Sequence, residues 1–224
     1  MSVKSAKPVT EKRTVKPRAA HGQRRVDLLA AARHCFAERG IEGTTVEAIL
    51  ERSGASIGSL YQHFAGKDGL AAALYVDGIA AFMAGALKFF EAATTSEDKV
   101  KALVRAYFDF VSADPVMARF LMQGRAYLDK TGHAAEIARR NNEFMMVIGA
   151  WYQQQARLRA LRGLPPEYVL AIIEGPSRNF ARKWLAGATN RSIAEAKEIF
   201  AQAAWDALKL DGETKTTRRK GRGS

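Results

Sequence analysis

The sequence predicts an all-α protein of about nine helices, with a three-helix unit near the N-terminus and a larger helical bundle after it. Two observations carry that expectation. Between two basic ends, every segment repeats its apolar residues at the helical period, and none shows the alternation of a strand. The breaks between segments carry helix punctuation: N-cap residues followed three positions later by an acid, prolines at first helical positions, and glycines just past the last ones.

In order, Leu28, Leu29, Ala32, Cys35 and Phe36 share one face of a first helix over 24–39, and Gly40 ends it. Thr44 or Thr45 caps a second helix, with Glu47 completing a capping-box spacing and Val46, Ile49 and Leu50 on its apolar stripe. Ser56 caps a third helix of about eight residues, which Ala65 and Gly66 break. Lys67 opens a long fourth helix reaching about Ala92. TTSED at 94–98 caps the fifth, and Asp114–Pro115 starts the sixth with proline at its first position. Thr131 to His133 punctuates before a seventh helix striped by Ile137, Asn141, Phe144, Ile148 and Trp151. Leu164 to Pro166 opens the eighth, with Val169, Ile172, Ile173, Phe180 and Trp184 on one face. Ser192 and Glu195 box the ninth, striped by Ile193, Ala196, Phe200, Ala203 and Ala207.

Composition narrows the function classes. A chain of 224 residues, 47% hydrophobic and 26% charged, has the makeup of a globular protein with room for one large or two small cores. The single cysteine, Cys35, excludes an internal disulfide, and the four histidines show no metal-ligand spacing, so neither metal nor cofactor is expected. Apolar runs fall short of the roughly 18 residues of a spanning helix, and the N-terminus lacks the apolar stretch of a signal peptide; a cytoplasmic protein with no membrane partner is expected. The net charge of +12 is concentrated at the ends: residues 1–25 carry +7 and 209–224 carry +4, leaving the body nearly neutral. Residues 1–23 and 210–224 are expected to be disordered basic tails flanking a unit at 24–70 and a second at 71–209.

The third helix carries the chemistry. Eight residues are too few for an isolated helix, so the first two helices must hold it. Three short helices with a glycine turn before the last form a helix-turn-helix arrangement, and a rod of roughly 12 Å suits the major groove of DNA. With Ile57 set at the centre of the buried side, Gly58, Ser59, Gln62 and His63 fall on the opposite, polar half, where Gly58 lets the backbone approach and Ser59 can bond either kind of base pair. Thr44 and Thr45, at a helix N-terminus, offer hydroxyls and free N–H groups to a phosphate. Lys67 sits in a first helical turn, where the helix dipole disfavours a cation by roughly 0.3–1 kcal/mol; a phosphate docked there reverses that cost.

GTTVEAILERSGASIGSLYQHFAGKDGL, residues 43–70, resembles the DNA-binding domain of the TetR family of bacterial transcriptional regulators. The likeness rests on the Thr-Thr start, the Gly-x-Ser turn, the Leu-Tyr-x-His-Phe run and the Lys-Asp entry to the fourth helix. It departs at Leu50 and Ala55, where the family commonly has alanine and valine. The resemblance implies phosphate contacts from Thr45, Tyr61, His63 and Lys67, and base or groove contacts from Ile57, Gly58, Ser59 and Gln62, with Ser56 at the start of the same helix. EGPSRNFARKWLAG at 174–187 is similar to the penultimate helix of some members. It implies a small-molecule pocket among the middle helices and a homodimer made by the last two.

Aromatics and methionines of the middle helices are the pocket candidates: Phe108, Met117, Phe120, Tyr127, Phe144 and Trp151, with Ile148 and Asn141. Such stripes are more often plain core than pocket. Phe180, Trp184, Phe200, Ala203, Ala204 and Ala207 are the candidates for a close-packed dimer seam. Glu174 and Arg178 read as a surface ion pair four residues apart. The expected function is a ligand-responsive regulator, a repressor on a palindromic operator, released by a hydrophobic or aromatic effector. A nonspecific DNA-compacting protein driven by its basic tails is the alternative, and a helical small-molecule binder without an operator stands third. No catalytic constellation supports an enzyme.

Overall fold

The computed structural model describes residues 18–210; both outer tail segments lie outside the described residues. Among the described residues there are nine helices: α1 (Arg18–Arg39), α2 (Val46–Ser53), α3 (Ile57–Phe64), α4 (Lys67–Ala92), α5 (Ser96–Ala113), α6 (Pro115–Leu128), α7 (Ala134–Arg157), α8 (Pro166–Leu185) and α9 (Ile193–Leu208). The all-α expectation is met, and among the described residues a single antiparallel bridge, Leu161 to Lys209, joins extended backbone. The first helix starts six residues before the expected boundary at 24. Arg18, Ala19, Ala20 and Gln23 are strong helix formers, but the segment RAAHGQ holds no large apolar residue whose period could be read.

Local chemistry sets the ends of α2 and α3. Thr45, not Thr44, caps α2 by accepting from the Ala48 N–H at 3.2 Å. Ser56 caps α3 by accepting from Ser59 N–H, also at 3.2 Å. Gly54, at φ 62°, ends α2 in the left-handed region, where glycine has no Cβ to strain. Ala65 takes the same role after α3 at φ 55°.

One core joins the three short helices to the bundle. Leu28 and Phe36 of α1, Ile49 of α2, and Leu60 and Phe64 of α3 pack with Leu70, Leu74 and Tyr75 of α4. Met117, Phe120, Leu121 and Leu128 of α6 close it. Phe36 stacks on Phe120 with centroids 5.7 Å apart, and Tyr75 meets the same ring edge-on. Burying Leu60 and Phe64 contributes about 1.5–3 kcal/mol each, which is what fixes so short a helix.

A second core binds α5, α7, α8 and α9. Phe108 stacks on Phe200 at 5.8 Å and meets Phe180 at 6.0 Å, with Val100, Val104, Val169 and Leu208 around them. Of the candidate dimer-seam residues, Ala204 is buried, and Phe180, Phe200 and Trp184 are half-buried, Phe180 and Phe200 with their inner sides on the second core and Trp184 beside Ala181 and Leu185. Of that set, Ala203 alone is exposed, with Ala207 half-buried. Periodicity marks a helix's apolar stripe, and the inner part of that stripe serves the chain's own core.

α4 has no uninterrupted apolar run of spanning length, because Asp77 and Lys88 break it. Its 26 residues as a whole are long and apolar enough to cross a membrane, although much of its surface is buried against α3, α5, α6 and α7. Its glycines are of two kinds. A Cβ on Gly69 would stand 1.8 Å from the Phe64 carbonyl oxygen, and one on Gly78 2.6 Å from Met117 Sδ. Gly85 has open space. We therefore expect Gly69→Ala to destabilise the protein by about 1–3 kcal/mol through overpacking. Gly85→Ala, on the same helix, should stabilise it by about 0.4–1 kcal/mol. Urea denaturation of the two variants checks the opposite signs.

Candidate nucleic-acid interface and ligand cavity

The outward face of α3 differs from the expected one by a rotation. Leu60 and Phe64 are the buried pair, while Ile57 and Tyr61 are each 56% exposed beside Gly58 and Gln62. Ser59 and His63 are half-buried on the flanks, His63 tilted against the Phe64 ring at 5.9 Å. Ile57 therefore belongs to the outer surface and not to the centre of the buried side. The exposed stripe offers a methyl-bearing side chain, a bare backbone, a phenol and a carboxamide, groups able to meet a thymine methyl, base edges and a phosphate.

Two expected phosphate ligands are placed elsewhere. Thr44 is buried, and its hydroxyl donates to the carbonyls of Cys35 and Gly40 at 3.1 and 2.7 Å, so it holds the α1–α2 loop. Lys67 Nζ donates to the carbonyls of Ile41 and Thr44 at 2.9 Å each. The cation that the helix dipole disfavours is thus offset by two backbone oxygens within the protein, and no docked phosphate is required. Thr45 and Ser56 are exposed but use their oxygens as caps. Arg24 donates to the Gly54 carbonyl at 3.3 Å, and Arg25 lies over the Phe64 ring, steadying the α2–α3 turn from α1.

A cavity of about 660 Å³ lies among α4, α5, α6, α7 and α8. Tyr75, Ile79, Phe82, Met83 and Ala86 of α4 form one wall, and Asn141, Phe144, Ile148 and Tyr152 of α7 another. Leu121, Met122 and Arg125 of α6, Tyr107 of α5, and Val169, Ile173, Glu174 and Arg178 of α8 close it. Of the sequence-derived pocket residues, Asn141, Phe144 and Ile148 line this space. Phe108 is stacked in the second core, and Met117 and Phe120 fill the first. Trp151 packs edge-on to Phe90, and Tyr127 donates to Asp68 at 2.6 Å, a bond that holds its phenol protonated and pushes it up to about 12.

Sequence reasoning missed the α4 wall because that helix is apolar nearly all round, which hides which residues face a void. It also misplaced Glu174. The carboxylate sits 3.6 Å from Arg178 at the cavity wall, and burial raises it above the usual carboxylate range, with Arg178 opposing. Although 41% of its side-chain surface is accessible, that surface borders the cavity, where surrounding protein still displaces water. Tyr107 is raised too, by desolvation first, and its hydroxyl is buried with no hydrogen-bond partner. Asn141 Oδ1 is in the same condition.

Two outcomes follow from these placements. Replacing Lys67 with Met leaves carbonyls of the α1–α2 loop without their charged donor, and should cost about 1–3 kcal/mol in denaturant unfolding; unchanged stability would return the lysine to a purely external role. An acid whose folded value lies above its unfolded one holds its proton better when folded. Glu174 thus opposes folding increasingly as pH rises from the ordinary carboxylate range through its raised value. Glu174→Gln should remove that slope, so wild type should lose stability relative to the variant as pH rises across the window, read from paired melting curves.

With fold and site in view, comparison with known proteins is specific. A family model for bacterial regulatory proteins of the tetR family matches residues 28–74, which span α1 from Leu28 to the first turns of α4. The chain is 27% identical over 186 residues to the transcriptional activator FasR of Mycolicibacterium smegmatis, covering 83% of both proteins. It is 47% identical over 51 residues to the transcriptional repressor AcnR of Corynebacterium diphtheriae, a match confined to 23% of this chain and 27% of that one. Among solved structures, the regulator FadR of Bacillus subtilis, in complex with stearoyl-CoA, superposes with a TM-score of 0.70 at 15% identity, covering 81% of this chain and 98% of that one. The motif of α2 and α3, the nine helices of the described residues and these relatives agree: residues 28–74 match the tetR-family model, and the chain resembles the transcriptional regulators of that family.

Proposed function

We propose that the protein is a ligand-responsive repressor that binds a two-fold symmetric operator as a homodimer and releases it when a mostly apolar small molecule fills the cavity. The observation that carries this reading is the double use of α4. Its first turns share a core with α3, and its middle forms the cavity wall through Tyr75, Ile79, Phe82 and Met83. A ligand that shifts α4 shifts the recognition unit with it. Release requires that the ligand bind the non-binding arrangement more tightly, and reciprocally that DNA weaken the ligand. The stearoyl-CoA complex of FadR supports a small-molecule role for this cavity, and the high local identity to AcnR in the DNA-binding helices supports repression.

For the dimer, the outward faces of α8 and α9 replace the inward stripe. Tyr168 and Ile199 are large and exposed, and Ala171, Gly175 and Ala203 beside them permit close helix crossing. The DNA-facing set is Thr45, Ile57, Gly58, Ser59, Tyr61, Gln62 and His63, with units divided near the start of α4. The alternative of tail-driven, nonspecific compaction rests on the concentration of charge at the two ends.

Footprinting on the DNA flanking the coding region separates these readings: a short protected dyad is expected, and uniform protection would favour compaction. On that operator, Tyr61→Phe should weaken binding to all sequences alike while leaving the salt slope unchanged, because a neutral hydroxyl bonds a phosphate without displacing a counterion. Gln62→Ala should instead relax base preference by about 1–3 kcal/mol at one position of each half-site, measured by competition with substituted duplexes.

A further inference from the structure

The cavity's polar groups specify more than an apolar occupant. Its charged lining is already paired: Glu174 with Arg178, and Arg125 with Asp129 through two contacts of 2.9 and 3.0 Å. Arg157, the remaining cation in the lining, is exposed at the end of α7, beside the exposed Gly163 and Pro166. An ionised group enclosed deep in this space would meet the Glu174 carboxylate or compete for an arginine that already has a partner. The buried groups that lack partners are neutral ones, the Tyr107 hydroxyl and Asn141 Oδ1. A buried polar atom left unsatisfied costs about 1–3 kcal/mol, so each is a standing demand for a complementary group.

Both demands lie near mid-length. Tyr107 packs edge-on to Phe82, midway along the α4 wall. Asn141 sits one turn after Ile137, which joins the core containing Tyr75, and two turns before Ile148, which packs with Phe90. Two turns back from the level of Phe90, Asn141 stands near Phe82 and Met83 of α4. The α4 wall runs from Tyr75 to Ala86, roughly 16 Å at 1.5 Å per residue, with apolar lining on either side of this level.

Resting on the ligand-responsive reading, we propose that the effector is an uncharged long-chain lipid bearing a hydroxyl or carbonyl near mid-chain, held between the Tyr107 hydroxyl and the Asn141 carboxamide. The oxygen fixes the chain's depth, and the hydrocarbon on both sides fills the apolar walls. A plain saturated chain fits the walls but leaves both polar atoms unsatisfied. An ionised head is accommodated only at the rim by Arg157 and adds nothing inside.

The test uses the full-length protein with three probes: methyl 12-hydroxystearate, methyl stearate and free stearate, with binding read by calorimetry in matched detergent. The hydroxy ester should bind at least tenfold more tightly than methyl stearate, and free stearate no more tightly than its ester. Tyr107→Phe and Asn141→Leu preserve shape; each should cut the preference for the hydroxy ester at least threefold, and together abolish it, with methyl stearate bound as well as before. Circular dichroism melts confirm that both variants fold. Tighter binding of free stearate, preference surviving in the double variant, or no binding of any probe would overturn the assignment. Operator release is read separately by fluorescence anisotropy. Selective binding that leaves operator affinity unchanged would sink the regulatory reading while upholding the ligand class.

Discussion

The structure depends on the burial of two side chains, Leu60 and Phe64, against the first turns of α4. An eight-residue helix cannot hold itself in water, because nucleation is unfavourable and few hydrogen bonds repay it. Its order is therefore borrowed from the surface beneath, formed by Leu70 and Leu74 of α4 with α1 behind. The contact is close enough that Gly69 tolerates no side chain against the Phe64 carbonyl. Whatever orientation α4 takes, α3 takes with it, and the exposed Ile57, Gly58, Tyr61 and Gln62 are carried as one rigid surface.

α6 extends the same constraint toward the cavity. At its N-terminus Asp114 caps the helix through the Met117 N–H and pairs with Arg33 of α1; near its C-terminus Tyr127 donates to Asp68 of α4. Between those ties, Leu121, Met122 and Arg125 line the cavity. α6 is thus bolted at both ends to the recognition unit while its middle borders the space a ligand would fill. The ties involve partly exposed groups and are individually worth little; their value is positional, since they fix the register of a helix whose apolar face alone would allow sliding.

Much of this was legible in the sequence because it is local. Ser56, Thr45, Asp114–Pro115 and Ser192 announce helix starts through side-chain oxygens that satisfy N–H groups a few residues away, and the structure uses each of them. What depended on distant partners was not. The Lys67 ammonium finds carbonyls 23 and 26 residues away, and nothing near it in the chain signals that they converge. Phe180 and Phe200 repeat at the helical period, yet periodicity cannot say whether an apolar stripe faces its own core or a second copy; Phe108, stacked on Phe200, decides it for the inner part of that stripe. The cavity itself is a failure of packing, and a void leaves no trace in residue type. Tyr107 and Asn141 mark it only once their missing partners are visible.

The close approach of α4 and α6 at Gly78 also shows how filling the cavity would reach α3. Met117 reaches over Gly78 so closely that a methyl group there would stand 2.6 Å from its sulfur, which marks where α4 and α6 cross. One turn on either side, Tyr75 and Phe82 of α4 and Leu121 of α6 face the cavity. A close-packed crossing resists compression and transmits displacement. A ligand lying between these walls therefore either fits the existing spacing or turns α4 about the Gly78 crossing. In the second case the lever arm from Gly78 to Lys67 spans 11 residues, roughly 16 Å, and carries α3 at its end. The size of the response is then set by geometry: with Phe82 only four residues beyond the crossing, a small opening there becomes a swing of the exposed stripe roughly two to three times larger, in the opposite direction, because the crossing lies between them.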